Sequence, residues 1–235
     1  MKISAVTRCG SGKNNSEDRI IIGGRILCNE EFTGEVPPCV IGIADGVGGN
    51  AGGDIAAQFV CERLSECATD MDGFAGANAA PLEIARKTPG KETMASTFSG
   101  IFPGGRALHI GNTRIYAVQG GYLKQITEDM TTYNYLRSLG RFEEAEHCAK
   151  NEITACFGGG NSSLFKPVVI DKTFKGKVVI TSDGVHDHVE LDLLENIITL
   201  SSDDLSACHS IVQSAVNKDS EDDLSVAIVN CFTCL

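Results

Sequence analysis

The chain has 235 residues, of which 42% are hydrophobic, and it carries a formal net charge of -11. This hydrophobic fraction is ordinary for a globular protein and excludes disorder as the dominant state. The surplus of acidic residues repels the phosphate backbone of nucleic acid, so we expect no nucleic-acid partner.

The sequence shows no signature of export or of membrane insertion. Its first fifteen residues lack the apolar stretch of a secretory signal, and no apolar run reaches about 18 residues. We therefore expect a cytoplasmic protein with no membrane contact, whose ten cysteines are reduced. Cys231 and Cys234 form a CxxC pair without a second such pair, and we interpret it as structural or incidental.

The first predicted elements in chain order are two strands and a helix. Residues 19–27 and 39–44 are apolar, β-branched runs that are typical of strands. After Asp45, a glycine-rich turn leads into a segment with the apolar periodicity of a helix. Its predicted apolar face contains Ile55, Ala56, Phe59, Val60 and Leu64. Residues 70–92 show little periodicity and contain several glycines and prolines, which predicts an irregular segment.

The second half of the chain begins with a predicted antiparallel meander over residues 97–126, where short apolar runs are separated by turn residues. Two helical segments follow it, one around Tyr135 to Leu139 and one from Glu143 to Lys150. The remaining predicted elements are a strand at 177–181, helices at roughly 190–200 and 204–217, and a strand from Leu224.

Strands and helices are grouped along the chain instead of alternating. No repeat of 20–50 residues and no low-complexity linker divides the sequence. One domain over residues 1–235 is therefore the simplest organisation. The grouping predicts an α+β fold with antiparallel sheets in place of a doubly wound parallel sheet.

Two parts of the sequence share the pattern of an apolar strand that ends in Asp-Gly-Val. They are CVIGIADGV, which contains Asp45 and Gly46, and KVVITSDGV, which contains Asp183. An isolated Asp-Gly pair is most often a hairpin turn. Here each pair leads into a helical pattern and not into a second strand. An Asp at a strand end, beside a glycine that allows close approach of the backbone, is well suited to bind a metal ion.

Two more acidic pairs adjoin predicted strands. Asp222 and Asp223 precede the last strand, and Glu17 and Asp18 precede the first. Each pair alone is consistent with a solvated strand end, but four such elements predict carboxylates that converge at one edge of the core. Like charges repel there unless divalent cations bind. Oxygen ligands favour Mg²⁺, Mn²⁺ or Ca²⁺, and two such ions lower the pKa of a shared water so that it attacks phosphorus.

The order of these motifs resembles that of the metal-dependent protein phosphatases of the PPM class, the PP2C family, in its compact bacterial form. The resemblance extends from about Lys13 to Val229 and rests on the ordered segments KNNSED, GIADGVGG, MASTFSG, LHIGNTRIYAV, QITEDMT, NEITACFG, VVITSDGVHD and EDDLSVAIV. It implies a four-layer αββα sandwich, in which helices flank two antiparallel sheets. It also implies that a metal-bridged hydroxide hydrolyses phosphoserine and phosphothreonine in proteins.

The resemblance implies a role for each matching acidic residue. Asp45 matches the aspartate that bridges two core Mn²⁺ or Mg²⁺ ions, and Gly46 matches the residue whose carbonyl binds one of them. Asp183 and Asp222 match ligands of the other ion. These residues are therefore the expected ligands of a two-metal centre.

Three further acidic residues match positions around that centre. Asp18, with Glu17 beside it, matches the residue that holds metal-bound water, and Asp187 matches a ligand of a weaker third ion. The expected partners are phosphorylated proteins, whose phosphates a serine/threonine kinase adds. The expected oligomeric state is a monomer.

Three motifs depart from the family pattern. Lys13 stands where the family usually has an Arg that binds the substrate phosphate, and Lys lacks the bidentate fork of Arg. Gly-Asn-Thr-Arg at residues 111–114 replaces Gly-Asp-Ser-Arg, so the neutral Asn112 weakens the expectation of a third ion. Asp-Met-Thr at residues 129–131 replaces Asp-His-Ser.

Three other functions agree with parts of the sequence. A nucleotide-binding P-loop at residues 10–14 lacks the Gly five residues before Gly12 and the Ser or Thr after Lys13. A structural Ca²⁺-binding protein would have an Asp-x-Asp-x-Asp-Gly loop, which is absent. The main alternative is a catalytically weak or inactive PP2C-like module that binds phosphoproteins. Lys13 and Asn112 favour it, and the retained aspartates oppose it.

Overall fold

The computed structural model describes residues 1–47, 51–67, 70–172 and 174–231. The strands are β1 (Lys2–Arg8), β2 (Asp18–Ile22), β3 (Arg25–Leu27), β4 (Glu31–Glu35), β5 (Ile41–Asp45), β6 (Ala95–Ser96), β7 (Phe98–Phe102), β8 (Arg106–Ile110), β9 (Arg114–Gln119), β10 (Tyr122–Gln125), β11 (Phe157–Gly158), β12 (Val168–Asp171), β13 (Gly176–Thr181) and β14 (Leu224–Cys231). The helices are α1 (Gly53–Glu66), α2 (Met71–Lys87), α3 (Thr132–Ser138), α4 (Phe142–Ala145), α5 (Asp183–His186), α6 (Leu191–Leu200) and α7 (Asp204–Asn217). Cys234 lies outside the described residues, as do residues 48–50 of the predicted glycine-rich turn.

Two antiparallel sheets of six strands form the centre of the fold. One has the order β10-β9-β13-β14-β1-β4 and the other the order β12-β8-β7-β5-β2-β3. Helices α6 and α7 cover the outer face of the first sheet, and α1 and α2 cover the outer face of the second. The predicted α+β sandwich of four layers, αββα, is confirmed. Among the described residues, every helix is too short or too polar to cross a membrane.

Both faces of each sheet are buried, which explains why the strands read as continuous apolar runs. In β2, Ile20 and Ile22 point into the layer between the sheets, while Ile21 packs with the helices on the outer face. In β13, Val178 and Ile180 point inward, and Val179 packs toward α6 and α7. Side chains alternate between the two faces of each strand. They therefore fill three apolar layers: one between the two sheets, and one between each sheet and its covering helices.

The predicted meander over residues 97–126 forms all four of its strands, but it does not stay in one sheet. Strands β7 and β8 belong to one sheet, and β9 and β10 belong to the other. The chain crosses between the sheets at residues 111–113. Gly111 has a φ of 98°, and a Cβ there would lie 2.5 Å from the side chain of Thr97, so only glycine allows this tight crossing.

The prediction of an irregular segment at residues 70–92 is wrong, because most of it forms helix α2. Asp70 caps this helix by accepting a hydrogen bond from the backbone N–H of Gly73 at 2.8 Å. Its buried residues, Phe74, Ala77, Asn78, Pro81 and Ala85, follow a helical spacing. The glycines and Pro81 obscured that spacing in the sequence.

Several predicted boundaries also differ from the structure. Residues 19–27 form a hairpin of β2 and β3, in which Gly23 has a φ of 59°. The predicted helix from Glu143 to Lys150 is only the short α4, Phe142–Ala145. No strand was predicted at the positions of β1, β4, β6, β11 and β12.

Phe98 provides a test of the packing beneath α1 and α2. Its side chain is fully buried, and its ring lies over Gly42 and Gly100, where an added Cβ would come within 2.4 Å and 2.6 Å of it. We expect Phe98→Ala to lower the free energy of unfolding by about 3–5 kcal/mol, because it opens a cavity in a rigid layer. Urea denaturation measures this loss.

The matched control is Tyr122→Ala, because the Tyr122 side chain is 71% exposed. We expect this control to change the free energy of unfolding by less than about 0.5 kcal/mol. Equal losses in the two variants would contradict the packing described for Phe98.

Candidate metal centre and adjoining groove

Asp18 and Asp45 lie directly opposite each other in neighbouring antiparallel strands. Asp18 begins β2 and Asp45 ends β5, and their Cα atoms are partners in the register of the two strands. The Asp18 side chain is 1% exposed, and neither of its carboxylate oxygens accepts a hydrogen bond of good geometry, although the nearby Ser225 and Ser182 hydroxyls lower its pKa. Buried polar atoms are normally well satisfied, so this carboxylate fits an interaction with a cation or with water bound to one.

Asp183 and Asp222 come from the neighbouring strands β13 and β14 of the other sheet. Asp183 is the first residue of α5, directly after β13, and Asp222 lies just before β14. Gly184 makes their approach possible, since a Cβ there would lie 2.2 Å from the backbone oxygen of Asp223. The two sheets therefore deliver carboxylates to the same edge of the sandwich.

One small cavity joins the predicted ligands. It has a volume of about 160 Å³, and its lining includes Asp45, Gly46, Asn112, Asp183 and Asp222. A Cβ on Gly46 would lie 2.4 Å from the backbone of Gly53, so the strand end can approach α1 only with glycine at this position.

Three carboxyl groups at this edge, those of Asp18, Asp45 and Asp183, resist ionisation. Burial, together with the charge of Asp183, raises the pKa of Asp45 well above its ordinary value. Burial and the charge of Asp222 raise the pKa of Asp183 to about 6. Burial, with the charges of Asp223 and Asp183, raises the pKa of Asp18 to about 7.

An oxygen-rich, anionic set of this kind fits a hard divalent cation. The carboxylates and the Gly46 carbonyl are the ligand types that Mg²⁺ and Mn²⁺ prefer. Among the described residues, no three His, Cys, Asp or Glu side chains are already arranged to hold a metal ion. A cation would therefore have to draw the carboxylates together, and the repulsion that it relieves favours this movement.

Lys13 lies at the rim of the cavity and not inside it. Its ammonium donates to the Asp222 carboxylate and, at 3.1 Å, to Oδ2 of Asp223, and Glu17 is 4.0 Å away. Lys13 is thus the positive charge that balances this acidic edge. Asp223, which belongs to the same acidic pair as Asp222 in the sequence, contacts it directly.

Asn112 and Asp187 occupy different positions around the centre. Asn112 is 5% exposed, and its amide donates to Oδ2 of Asp183 at 2.8 Å. Asp187 does not line the cavity. It lines an adjoining groove of about 520 Å³ and accepts a hydrogen bond from Asn151 at 2.9 Å. Asn112 and Asn151 line both the cavity and the groove, so the two spaces are neighbours.

A partly buried ion pair forms one wall of the groove. Arg114 donates through Nε and Nη2 to Asp129, at 2.9 Å and 2.6 Å, in a bidentate pair. His186 also lines the groove, where burial keeps its pKa well below the ordinary value and its Nε2 has no partner. The sequence analysis identified neither Asn151 nor His186, because no strand end or acidic pair marks them.

The chain is similar to known protein phosphatases. No protein-family model matches the chain. The chain is 25% identical over 245 residues to the serine/threonine protein phosphatase PstP of Mycobacterium tuberculosis, covering 98% of this chain and 45% of PstP. It is 24% identical over 250 residues to the protein phosphatase PhpP of Streptococcus pneumoniae, covering 98% of this chain and 97% of PhpP. The chain thus spans less than half the length of PstP.

Solved structures show the same fold. The crystal structure of PstP from M. tuberculosis superposes with a TM-score of 0.80 at 23% identity, over 99% of this chain and 100% of that chain. The catalytic domain of PstP, solved in complex with two manganese ions, superposes with a TM-score of 0.77 at 22% identity over the same shares. The predicted resemblance to bacterial PP2C-type phosphatases is confirmed.

The raised pKa values predict how the metal-free protein responds to pH. Asp18 titrates near 7 in the folded protein and near 3.8 when unfolded, so the folded state binds the extra proton between these values. Stability of the EDTA-treated protein should therefore fall as pH rises, so that thermal unfolding occurs at a lower temperature at pH about 8 than at pH about 5. Asp18→Asn should flatten this dependence. A stability that rises over this range would contradict it.

Asn112 allows a second test of the cluster. In Asn112→Asp, a further carboxylate would face Asp183, so the metal-free protein should be less stable and Mn²⁺ should bind about tenfold more tightly. Calorimetric titration and thermal unfolding measure both effects. Asn217→Asp, on the exposed end of α7, is the control and should change neither. Unchanged Mn²⁺ binding in Asn112→Asp would show that position 112 does not influence the ions.

Proposed function

We propose that this chain is a divalent-metal-dependent phosphatase that hydrolyses phosphoserine and phosphothreonine in proteins. The observation that carries the proposal is the buried Asp18 carboxylate, directly opposite Asp45 in the register of β2 and β5. The names of the PstP and PhpP relatives support the same reaction.

Two Mn²⁺ or Mg²⁺ ions fit the donor set. Asp45 and the Gly46 carbonyl would hold ions on one side of the cavity, and Asp183 and Asp222 on the other. Asp18, with Glu17, would hold water from the buried side. Bound there, two such ions supply a nucleophilic water of lowered pKa and neutralise charge on the phosphoryl group. That PstP was solved with two manganese ions supports this number.

The remaining steps belong to residues of the chain. The Lys13 ammonium is the cationic group at the rim of the cavity and would hold the phosphate oxygens as a point charge. Asn112 fixes Asp183 by its hydrogen bond. The adjoining groove, with Tyr133 and Lys150 in its lining, would accommodate the peptide around the phosphorylated residue.

We also propose the domain organisation, oligomeric state, location and substrates of the enzyme. Residues 1–235 would act as one phosphatase domain, as a monomer in the cytoplasm. Its substrates would be proteins phosphorylated by a serine/threonine kinase, with no nucleic-acid or membrane partner. Asp187 would contribute to a weaker third ion, whose affinity the neutral Asn112 limits.

Hydrolysis of p-nitrophenyl phosphate by the purified protein tests the function, with EDTA, Mg²⁺ or Mn²⁺ present. We expect activity that requires a divalent ion, and we expect Asp45→Asn or Asp183→Asn to lower kcat by at least about 100-fold, because a preorganised electrostatic element is lost. Asp192→Asn, an exposed carboxylate on α6, is the control and should retain full activity.

The outcomes separate the two functions considered. Wild-type turnover by Asp45→Asn would contradict the site. A folded wild-type protein without activity over a full Mn²⁺ titration would instead favour the module that binds phosphoproteins without hydrolysing them.

A further inference from the structure

Asp223 connects the start of β14 with the loop of residues 9–17, which we call the anchor loop. The Asp223 side chain is 2% exposed. Its Oδ1 accepts a hydrogen bond from the backbone N–H of Gly10 at 2.8 Å. Its Oδ2 accepts from the backbone N–H of Glu17 at 2.7 Å and from Lys13 Nζ at 3.1 Å. One buried carboxylate therefore holds both ends of the loop and the charged side chain between them.

The anchor loop is pressed against the segment that carries Asp222, the proposed metal ligand. A Cβ on Gly10 would lie 2.3 Å from the backbone oxygen of Glu221, so only glycine allows this approach. Cys9 closes the loop internally, since its thiol donates to the carbonyl of Lys13 at 3.6 Å. The path of the loop is thus fixed close to the cavity.

Two neighbouring carboxylates share the Lys13 ammonium, but they differ in their relation to the cavity. Asp222 lines the cavity, and its side chain is 52% exposed. Asp223 does not line the cavity and is buried. A divalent cation at Asp222 would take that acceptor away from Lys13 and repel the ammonium. The contact with Asp223 would remain, because its carboxylate is turned to the anchor loop.

We propose that Asp223 is a positioning residue that keeps the Lys13 ammonium at the rim of the cavity when a cation occupies Asp222, so that the ammonium binds the substrate phosphate. The proposal rests on the phosphatase function proposed above. It assigns to Asp223 a role that the surrounding metal ligands do not have, since it acts on the substrate through Lys13.

A double-mutant cycle of Lys13→Met and Asp223→Asn tests this coupling. The readouts are KM and kcat for p-nitrophenyl phosphate and the dissociation constant of inorganic phosphate, measured by calorimetry on the Mn²⁺-loaded protein. We expect each single variant to raise KM and the dissociation constant about tenfold, the effect of one lost charged hydrogen bond, with a smaller change in kcat. The double variant should bind phosphate no more weakly than Lys13→Met alone.

A purely structural role for Asp223 gives a different result. The effect of Asp223→Asn would then be the same whether Lys13 is present or not, and this additivity would overturn the proposal. Lys87→Met with Glu83→Gln is the control pair, because Lys87 and Glu83 form an exposed ion pair on α2 with a separation of 2.6 Å. This control cycle should leave phosphate binding unchanged.

A second measurement covers the case in which Asp223→Asn does not fold. In Mg²⁺-loaded wild-type protein with ¹⁵N-labelled lysine, a held Lys13 ammonium gives a slowly exchanging NMR signal that is absent from Lys13→Met. A Lys13 signal with the properties of a free, exposed lysine would overturn the proposal. Absent hydrolysis in the wild type would contradict only the proposed function, because phosphate binding and the NMR signal still decide the role of Asp223.

Discussion

Repulsion between carboxylates at the ends of β5, β13 and β14 is the interaction on which the architecture of the site depends. Asp45, Asp183 and Asp222 line one cavity of about 160 Å³, and Asp18 is buried behind Asp45. Burial and mutual charge raise the pKa values of Asp18, Asp45 and Asp183. Such a cluster persists only because the sheets hold the strand ends together. A bound cation would relieve the repulsion between the carboxylates, and this relief would favour cation binding.

Apolar packing within the sandwich holds the strand ends at this edge in place. Each sheet is covered by the other sheet on one face and by helices on the opposite face, so both sets of alternate side chains are buried. Apolar burial on both faces leaves the strand ends as the place where polar groups reach solvent. The crossing at residues 111–113 connects the two sheets at this edge and brings Asn112 against Asp183.

The sequence was sufficient for those features that each depend on one local pattern. A strand that ends in Asp-Gly is visible in the sequence, and so Asp45, Gly46 and Asp183 were found and lie around one cavity. The sequence could not show that the meander crosses from one sheet to the other. Its strands have the same pattern of apolar residues and turns whichever sheet they join. The role of Asp223 was equally hidden, because its partners are backbone N–H groups more than 200 residues away in sequence.

Two of the three departures from the family pattern, Lys13 and Asn112, act on the same electrostatic balance. Lys13 adds a compact positive charge that contacts Asp222 and Asp223 at the same time, whereas the planar fork of an Arg suits bidentate pairing with one carboxylate or one phosphate. Asn112 donates a hydrogen bond to Asp183 at the position where an Asp would add a fourth negative charge to the cavity. Both residues lower the electrostatic cost of the cluster without a metal ion. The same two residues therefore lower the repulsion within the metal-free cluster, so the buried aspartates and the neutral Asn112 are compatible in one chain.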